Sequence, residues 1–261
     1  MGPFKTLRVD IDSRGVASLT LNRPERKNAI SGTMMDELVA FTEAIATSQN
    51  VKVVVMSGAD GTFCAGADLT WMMAQIEADR KARMAEAKRF AMMLKALNEL
   101  PLPLIGKLEN VALGGGMGLA CICDVAVATK DCRFGFTETR LGIIPATISP
   151  YVLARMGEGK ARRVLMSARI FQGDEAQSLD VVAQAVDPED LNAAIEAELA
   201  PYLALPRGAV GRAKRLTRSL GITINEAVID DKIRQLADAW ETEEAREGIS
   251  AFLEKRKPAW G

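Results

Sequence analysis

Histidine is missing altogether from this chain of 261 residues. Its absence excludes Ser-His-Asp and Cys-His catalysis and nearly all zinc-hydrolase chemistry. Proton transfer must then fall to Glu, Asp, Lys, Tyr or Cys, with a carboxylate as the leading candidate. Cysteine is scarce: Cys64, Cys121, Cys123 and Cys132 form no C-x-x-C pair. They read as reduced core thiols of a cytoplasmic protein rather than disulfides or metal ligands, and no metal dependence is expected.

Other absences narrow the field further. No run approaches the roughly 18 uncharged apolar residues of a membrane span, and Met1 to Asp10 lacks the apolar stretch of a signal peptide. The 33 basic and 34 acidic residues leave a net charge of −1, so neither nucleic acid nor an anionic membrane is expected as a partner. No G-x-x-x-x-G-K-[ST] occurs, and Leu119 breaks the dinucleotide register that Gly114 and Gly116 begin. There is no low-complexity tract and no strict internal repeat.

What is present begins with two alternating runs. Val9 and Ile11 share one face, as do Ala17, Leu19 and Leu21, and Arg14-Gly15 between them predicts a β-hairpin. Thr33-x-x-Asp36 reads as a capping box ahead of Met34, Leu38, Phe41 and Ile45 at helical spacing. Residues 51–56 are nearly all apolar, as in a strand covered on both faces. One long helix is expected over 70–100, stopped by Pro101 and Pro103. A strand at 104–108, a short helix at 117–123 and a strand at 125–128 follow, and the alternation continues to Val181-Val182 and Val186. From Asp187 the pattern is helical, with breaks at Pro206 and Gly221. The expected division is an α/β core over residues 1–200 and a helical part over 201–261.

Two glycine-bearing loops each follow an apolar strand and open a helix: Phe63-Cys64-Ala65-Gly66-Ala67-Asp68-Leu69 and Ala112-Leu113-Gly114-Gly115-Gly116-Met117-Gly118. Amides at such helix starts have no intrahelical acceptor. A pair of them can hold a developing oxyanion, each donor contributing roughly 3–4 kcal/mol. Either loop alone reads first as a tight turn.

Together, about 50 residues apart, the loops resemble the enoyl-CoA hydratase/isomerase (crotonase) family. So do Leu21-Asn22-Arg23-Pro24, C-D-V-A-V-A at 123–128, F-G-F-T-E at 134–138, L-G-I-I-P at 141–145 and the segment 248–260. The resemblance implies an α/β spiral of repeated ββα units with C-terminal helices that support a homotrimer or a dimer of trimers. It implies a thioester oxyanion hole at Ala67 and Gly115, and coenzyme A carried as part of the substrate with no separate cofactor. Arg26, Lys27, Ala29, Ala65, Asp68 and Gly114 match the substrate- and CoA-binding region. Glu138 matches one of the two glutamates that family hydratases commonly use. The position of the other holds Gly118, within the same substrate-binding loop, and glycine cannot transfer a proton.

A single carboxylate suits a 3-enoyl-CoA to 2-enoyl-CoA isomerase. The run Ala146-Thr147-Ile148-Ser149-Pro150-Tyr151, with Gly118, is instead similar to bacterial 3-methylglutaconyl-CoA and isohexenylglutaconyl-CoA hydratases of branched-chain and terpenoid catabolism. That likeness implies hydration or dehydration of a branched or dicarboxylic 2-enoyl-CoA; Arg140, two residues past Glu138, is the candidate to hold the second carboxylate, with a plain surface arginine as the alternative. A member that binds acyl-CoA without turnover is the remaining alternative. The acyl pocket is expected from the 70–100 helix and the 140–152 segment.

Overall fold

The computed structural model describes residues 3–261. Met1 and Gly2 lie outside the described residues, so the N-terminal stretch is described from Pro3 onward. The hairpin forms as expected: β1 (Leu7–Ile11) pairs antiparallel with β2 (Val16–Leu21). Gly15 takes φ +90°, and the Asp12 carboxylate accepts from the amides of Arg14 and Val16, both at 2.9 Å. Helix α1 (Gly32–Thr47) follows, but its cap is Ser31, whose hydroxyl accepts from the Met34 amide at 3.2 Å. Asp36, expected in a capping box, points instead to Arg89, with Nε to Oδ1 at 2.9 Å.

Strand β3 (Val53–Gly58) runs parallel to β2. Val54 and Met56 face the main core, while Val53 and Val55 face a second cluster. Both faces are thus covered, which is why the run reads as uniformly apolar. The expected long helix is two: α2 (Leu69–Glu77) and α3 (Arg80–Asn98). They part at Ala78, because the Asp79 carboxylate caps α3 by accepting from the Ala82 amide at 2.8 Å. Such a cap outcompetes continuation of the preceding helix.

Strand β4 (Leu104–Leu108) continues the parallel sheet, and Asn110, at φ +60°, turns the chain out of it into β5 (Val111–Leu113). Helix α4 (Gly115–Ile122) returns to β6 (Val125–Thr129), and β7 (Arg133–Gly135) pairs parallel with β5. Helices α5 (Ser149–Leu165) and α6 (Gly173–Ser178) lead to β8 (Gln184–Val186); Val181 and Val182 are buried in the turn before it rather than in a strand. The main sheet has the order β1-β2-β3-β4-β6-β8, parallel from β2 onward.

Four helices complete the described chain: α7 (Leu191–Leu203), α8 (Arg207–Leu220), α9 (Glu226–Trp240) and α10 (Glu243–Leu253). Leu191, Ile195 and Leu199 of α7 cover the second face of the sheet. Ile229 and Ile233 of α9 pack on Ala87 and Ala91 of α3, and Ala245 and Ile249 of α10 pack on Ile143. Burying each such Ile or Leu contributes about 1.5–3 kcal/mol. All four cysteines are buried and unbridged. Burial pushes the thiols of Cys64, Cys121 and Cys123 up to about 12, and that of Cys132 also up.

Candidate active site

The short sheet decides what meets what. Because β5 and β7 run parallel, the loops leaving their C-terminal ends emerge side by side. One is the triple glycine; the other is the turn Glu138–Leu141. The first glycine loop joins them through a bridge between Cys64 and Ala112: the Cys64 amide donates to the Val111 carbonyl at 2.9 Å, and the Leu113 amide donates to the Cys64 carbonyl at 3.1 Å. Three loops thus converge at the C-terminal ends of parallel strands, where open α/β folds place their ligands.

The two expected oxyanion donors are both presented here. Ile30 binds the flanks of Ala67, donating to the Gly66 carbonyl at 2.8 Å and accepting from the Asp68 amide at 2.9 Å. Alternation along an extended segment then turns the Ala67 amide the other way. Gly115 opens α4, so its amide has no intrahelical acceptor, and neither amide donates to another group among the described residues. The approach of the two loops is steric as well as polar. A Cβ on Gly66, which sits at φ +106°, would lie 2.9 Å from the Leu113 carbonyl oxygen and 3.7 Å from the Gly115 nitrogen.

Glu138 lines one cavity with Ala67 and Gly115, beside Gly114. A Cβ on Gly114 would lie 3.4 Å from its Oε1, and its Oε2 is buried without a partner. Burial pushes the carboxyl up to about 7, against a smaller opposing effect of the backbone amides of Glu138 and Thr137. The group is therefore poised to take or give a proton near neutral pH. Docking of α10 holds the turn: a Cβ on Gly142 would clash with the Glu244 backbone at 2.4 Å, and one on Gly248 with the Leu141 backbone at 2.5 Å.

A cavity of about 400 Å³ extends from these groups. Ala65, Ala67, Gly114, Gly115, Glu138 and Arg140 line the side formed by the converging loops, and Trp71, Met72, Phe90, Leu236, Trp240 and Phe252, with residues of the 141–148 segment, line the rest. Residues 12–261 match the Enoyl-CoA hydratase/isomerase family. The chain belongs to that family. It is 35% identical to the 2,3-dehydroadipyl-CoA hydratase of Escherichia coli (strain K12) over 249 residues, 93% of this chain and 94% of that one. It is 29% identical to the mitochondrial methylglutaconyl-CoA hydratase of Mus musculus, over 98% of this chain and 83% of the mouse protein. Among solved structures, Pseudomonas aeruginosa AtuE superposes with a TM-score of 0.80 at 38% identity, covering 98% of this chain and 99% of AtuE. The fold is that of the crotonase-type enoyl-CoA hydratases.

Within this family member the other expected site residues take different places. Arg140 is exposed at the cavity and has no ion-pair partner among the described residues. Arg26 and Lys27 are exposed outside the cavity lining, on a loop tied to it by the Ala65 amide donating to the Lys27 carbonyl at 3.0 Å. Ala29 is buried, its carbonyl accepting from Arg23 Nη1 at 2.7 Å. The Asp68 side chain is spent on structure: it caps α2 and pairs with Arg23 at 2.8 Å, which together with its own backbone bonds holds its carboxyl below the usual range despite burial. Gly118 does not line the cavity. A Cβ there would lie 2.6 Å from Ile148 Cγ2, so Ile148 occupies the space that a longer side chain would take.

The sequence marks Arg23 and Asn28 only as part of the family motif, without their structural roles, and gives no sign of the C-terminal wall. Asn28 is buried and joins the loops, donating to the Ala59 carbonyl at 3.0 Å and accepting from the Arg23 amide at 2.8 Å. Leu236 and Trp240 fall on the helical spacing of α9, a signal that marks an apolar face without showing which cavity it meets.

Proposed function

We propose that this enzyme hydrates, or in reverse dehydrates, a branched or dicarboxylic 2-enoyl-CoA such as 3-methylglutaconyl-CoA. Glu138, half-buried in the cavity that Ala67 and Gly115 also line, with its Oε2 enclosed and its proton affinity raised to near neutrality, is the observation that carries the reading. The thioester carbonyl accepts from both amides. Glu138 takes a proton from water as the water oxygen bonds to C3. The C2–C3 π electrons shift to form the enolate, whose oxygen the two amides stabilise. The protonated Glu138 then delivers its proton to C2, so one water is added and the carboxylate is regenerated. Coenzyme A belongs to the substrate, and no other cofactor or metal enters the scheme. The unpaired Arg140 guanidinium is the natural partner for a second carboxylate. The names of the Escherichia coli and mouse relatives, both hydratases of acyl-CoA esters, support the same direction.

The placement of Ile148 over Gly118 supports a second reading, since no second carboxylate stands there. In that reading Glu138 alone moves a proton from C2 to C4 of a 3-enoyl-CoA. Assembly as a homotrimer or dimer of trimers is part of the proposal, supported by the exposed Leu216, Leu220 and Ile222 on and after α8.

The deciding experiment is activity on 3-methylglutaconyl-CoA, crotonyl-CoA and a 3-enoyl-CoA. Preference for the first is the expected result. Turnover of the 3-enoyl-CoA alone would establish the isomerase, and tight CoA binding without any turnover would mean a binding protein.

A further inference from the structure

Behind the apolar wall of the main cavity lies a second chamber of about 30 Å³. Trp71, Ala87, Leu236 and Trp240 line both spaces and form the partition between them. Gln75 and Arg83 line the chamber but not the cavity. Gln75 is 6% exposed, and its Nε2 donates to the Trp71 carbonyl at 3.2 Å. That bond fixes the amide orientation, because a flip would set oxygen against oxygen. Oε1 is left buried with no partner in the chain.

Arg83 presents the complement. Its Nη1 donates to the Ala78 carbonyl at 2.9 Å, and its Nη2 lies 4.0 Å from Glu241. Its Nε is buried and unpartnered, while the guanidinium carbon lies 5.9 Å from the Trp240 ring centroid. Two residues lining the chamber thus leave one acceptor and one donor unpartnered, beside a space above the roughly 10–15 Å³ that a single water needs. A carboxylate would be repelled by Gln75 Oε1 and a cation by Arg83. A neutral molecule that both donates and accepts satisfies the two orphans together.

We propose that this chamber binds one water molecule bridging Gln75 Oε1 and Arg83 Nε, and that the bridge fixes Trp71 and Trp240 as the far wall limiting acyl length. Trp71 is held from its other side by its Nε1 donating to Glu86 at 2.7 Å, so the bridge completes the clamp on the partition. The consequence for acyl length rests on the reading of the main cavity as the acyl site; the water site does not.

A high-resolution crystal structure of the unaltered protein tests the site. Density within about 3 Å of both atoms is expected. An empty chamber, or Gln75 Oε1 turned onto a protein donor, overturns the proposal. Gln75→Leu removes the acceptor without touching the main cavity. It should lose the density and raise kcat/KM for 2-octenoyl-CoA relative to crotonyl-CoA about tenfold, while crotonyl-CoA turnover is retained. An unchanged ratio in the folded variant, or in Arg83→Met should Gln75→Leu not fold, overturns the wall role. Density for the bridge in an enzyme inert toward every enoyl-CoA would support the site while refuting the acyl reading.

Discussion

The two ends of the cavity are built on different principles. At the end proposed to react stand two backbone amides and one carboxylate, on strands and loops that hydrogen-bond to one another. At the far end the wall is side chains alone, drawn from α2, α3, α9 and α10. The first end cannot be retuned by exchanging side chains without deforming backbone. The second can change with little effect on the chemistry. Fixed chemistry joined to an adjustable wall is how one fold serves many acyl groups.

The sharpest way to break the reacting end is Glu138→Gln. As the proton carrier, Glu138 should take about 10²–10⁴ of kcat with it, leaving CoA affinity intact. In the unaltered enzyme kcat/KM should rise as pH passes through about 7, because the base must be ionised. The same variant reports on stability. A carboxyl whose folded pKa is raised stabilises the fold fully below its unfolded value near 4.5, and that contribution is lost as pH rises through about 7. Glu138→Gln should therefore be more stable than the parent at pH 8, by roughly 3 kcal/mol at most, with no difference near pH 4. Denaturant titration at the two pH values measures it.

Gly66→Ala tests the backbone itself. At φ +106°, with the Leu113 carbonyl 2.9 Å away, the added methyl must move the Ala67 amide. The loss of one oxyanion donor should cost about 10²–10³ in kcat with KM little changed. Behind the cavity lining, Gly118→Glu should not restore a two-glutamate site. Its Cβ meets Ile148 at 2.6 Å, so a loss of about 1–3 kcal/mol in stability is expected, without a gain in hydration rate. A gain would show that Ile148 yields. The smallest effect belongs to Arg140→Ala. It should raise KM for a dicarboxylic acyl-CoA about tenfold more than for crotonyl-CoA, as the loss of a charge-assisted hydrogen bond implies. Equal changes for both would remove Arg140 from substrate recognition.

The same contrast explains what could be read in advance. Gly66 and Gly114 are legible because positive φ admits little else, Gly115 because Phe90 fills the space a side chain would take, and Glu138 because a chain without histidine leaves few proton carriers. The break between α2 and α3 was missed because Asp79 acts through a cap that the apolar spacing hides. Ser31 was passed over for Thr33, two residues on, since both positions offer a hydroxyl before the same helix. Asp68 carries the motif of a ligand-binding region, but its carboxylate is occupied by Arg23. Trp71, Met72, Phe90 and the 140–148 residues of the wall lie in the segments expected to line an acyl pocket, but Leu236 and Trp240 are illegible, because they are far away in sequence and reach the cavity only through the packing of α9 on α3.

The four buried thiols carry a practical consequence. Each is shielded from solvent, and burial holds them in the unreactive protonated form. A thiol reagent should modify this protein only when a segment opens, so labelling becomes a clock for breathing that needs no introduced probe. Cys64 lies in the first glycine loop and Cys121 and Cys123 at the end of α4, so resolving their rates would time the opening of the oxyanion scaffold piece by piece.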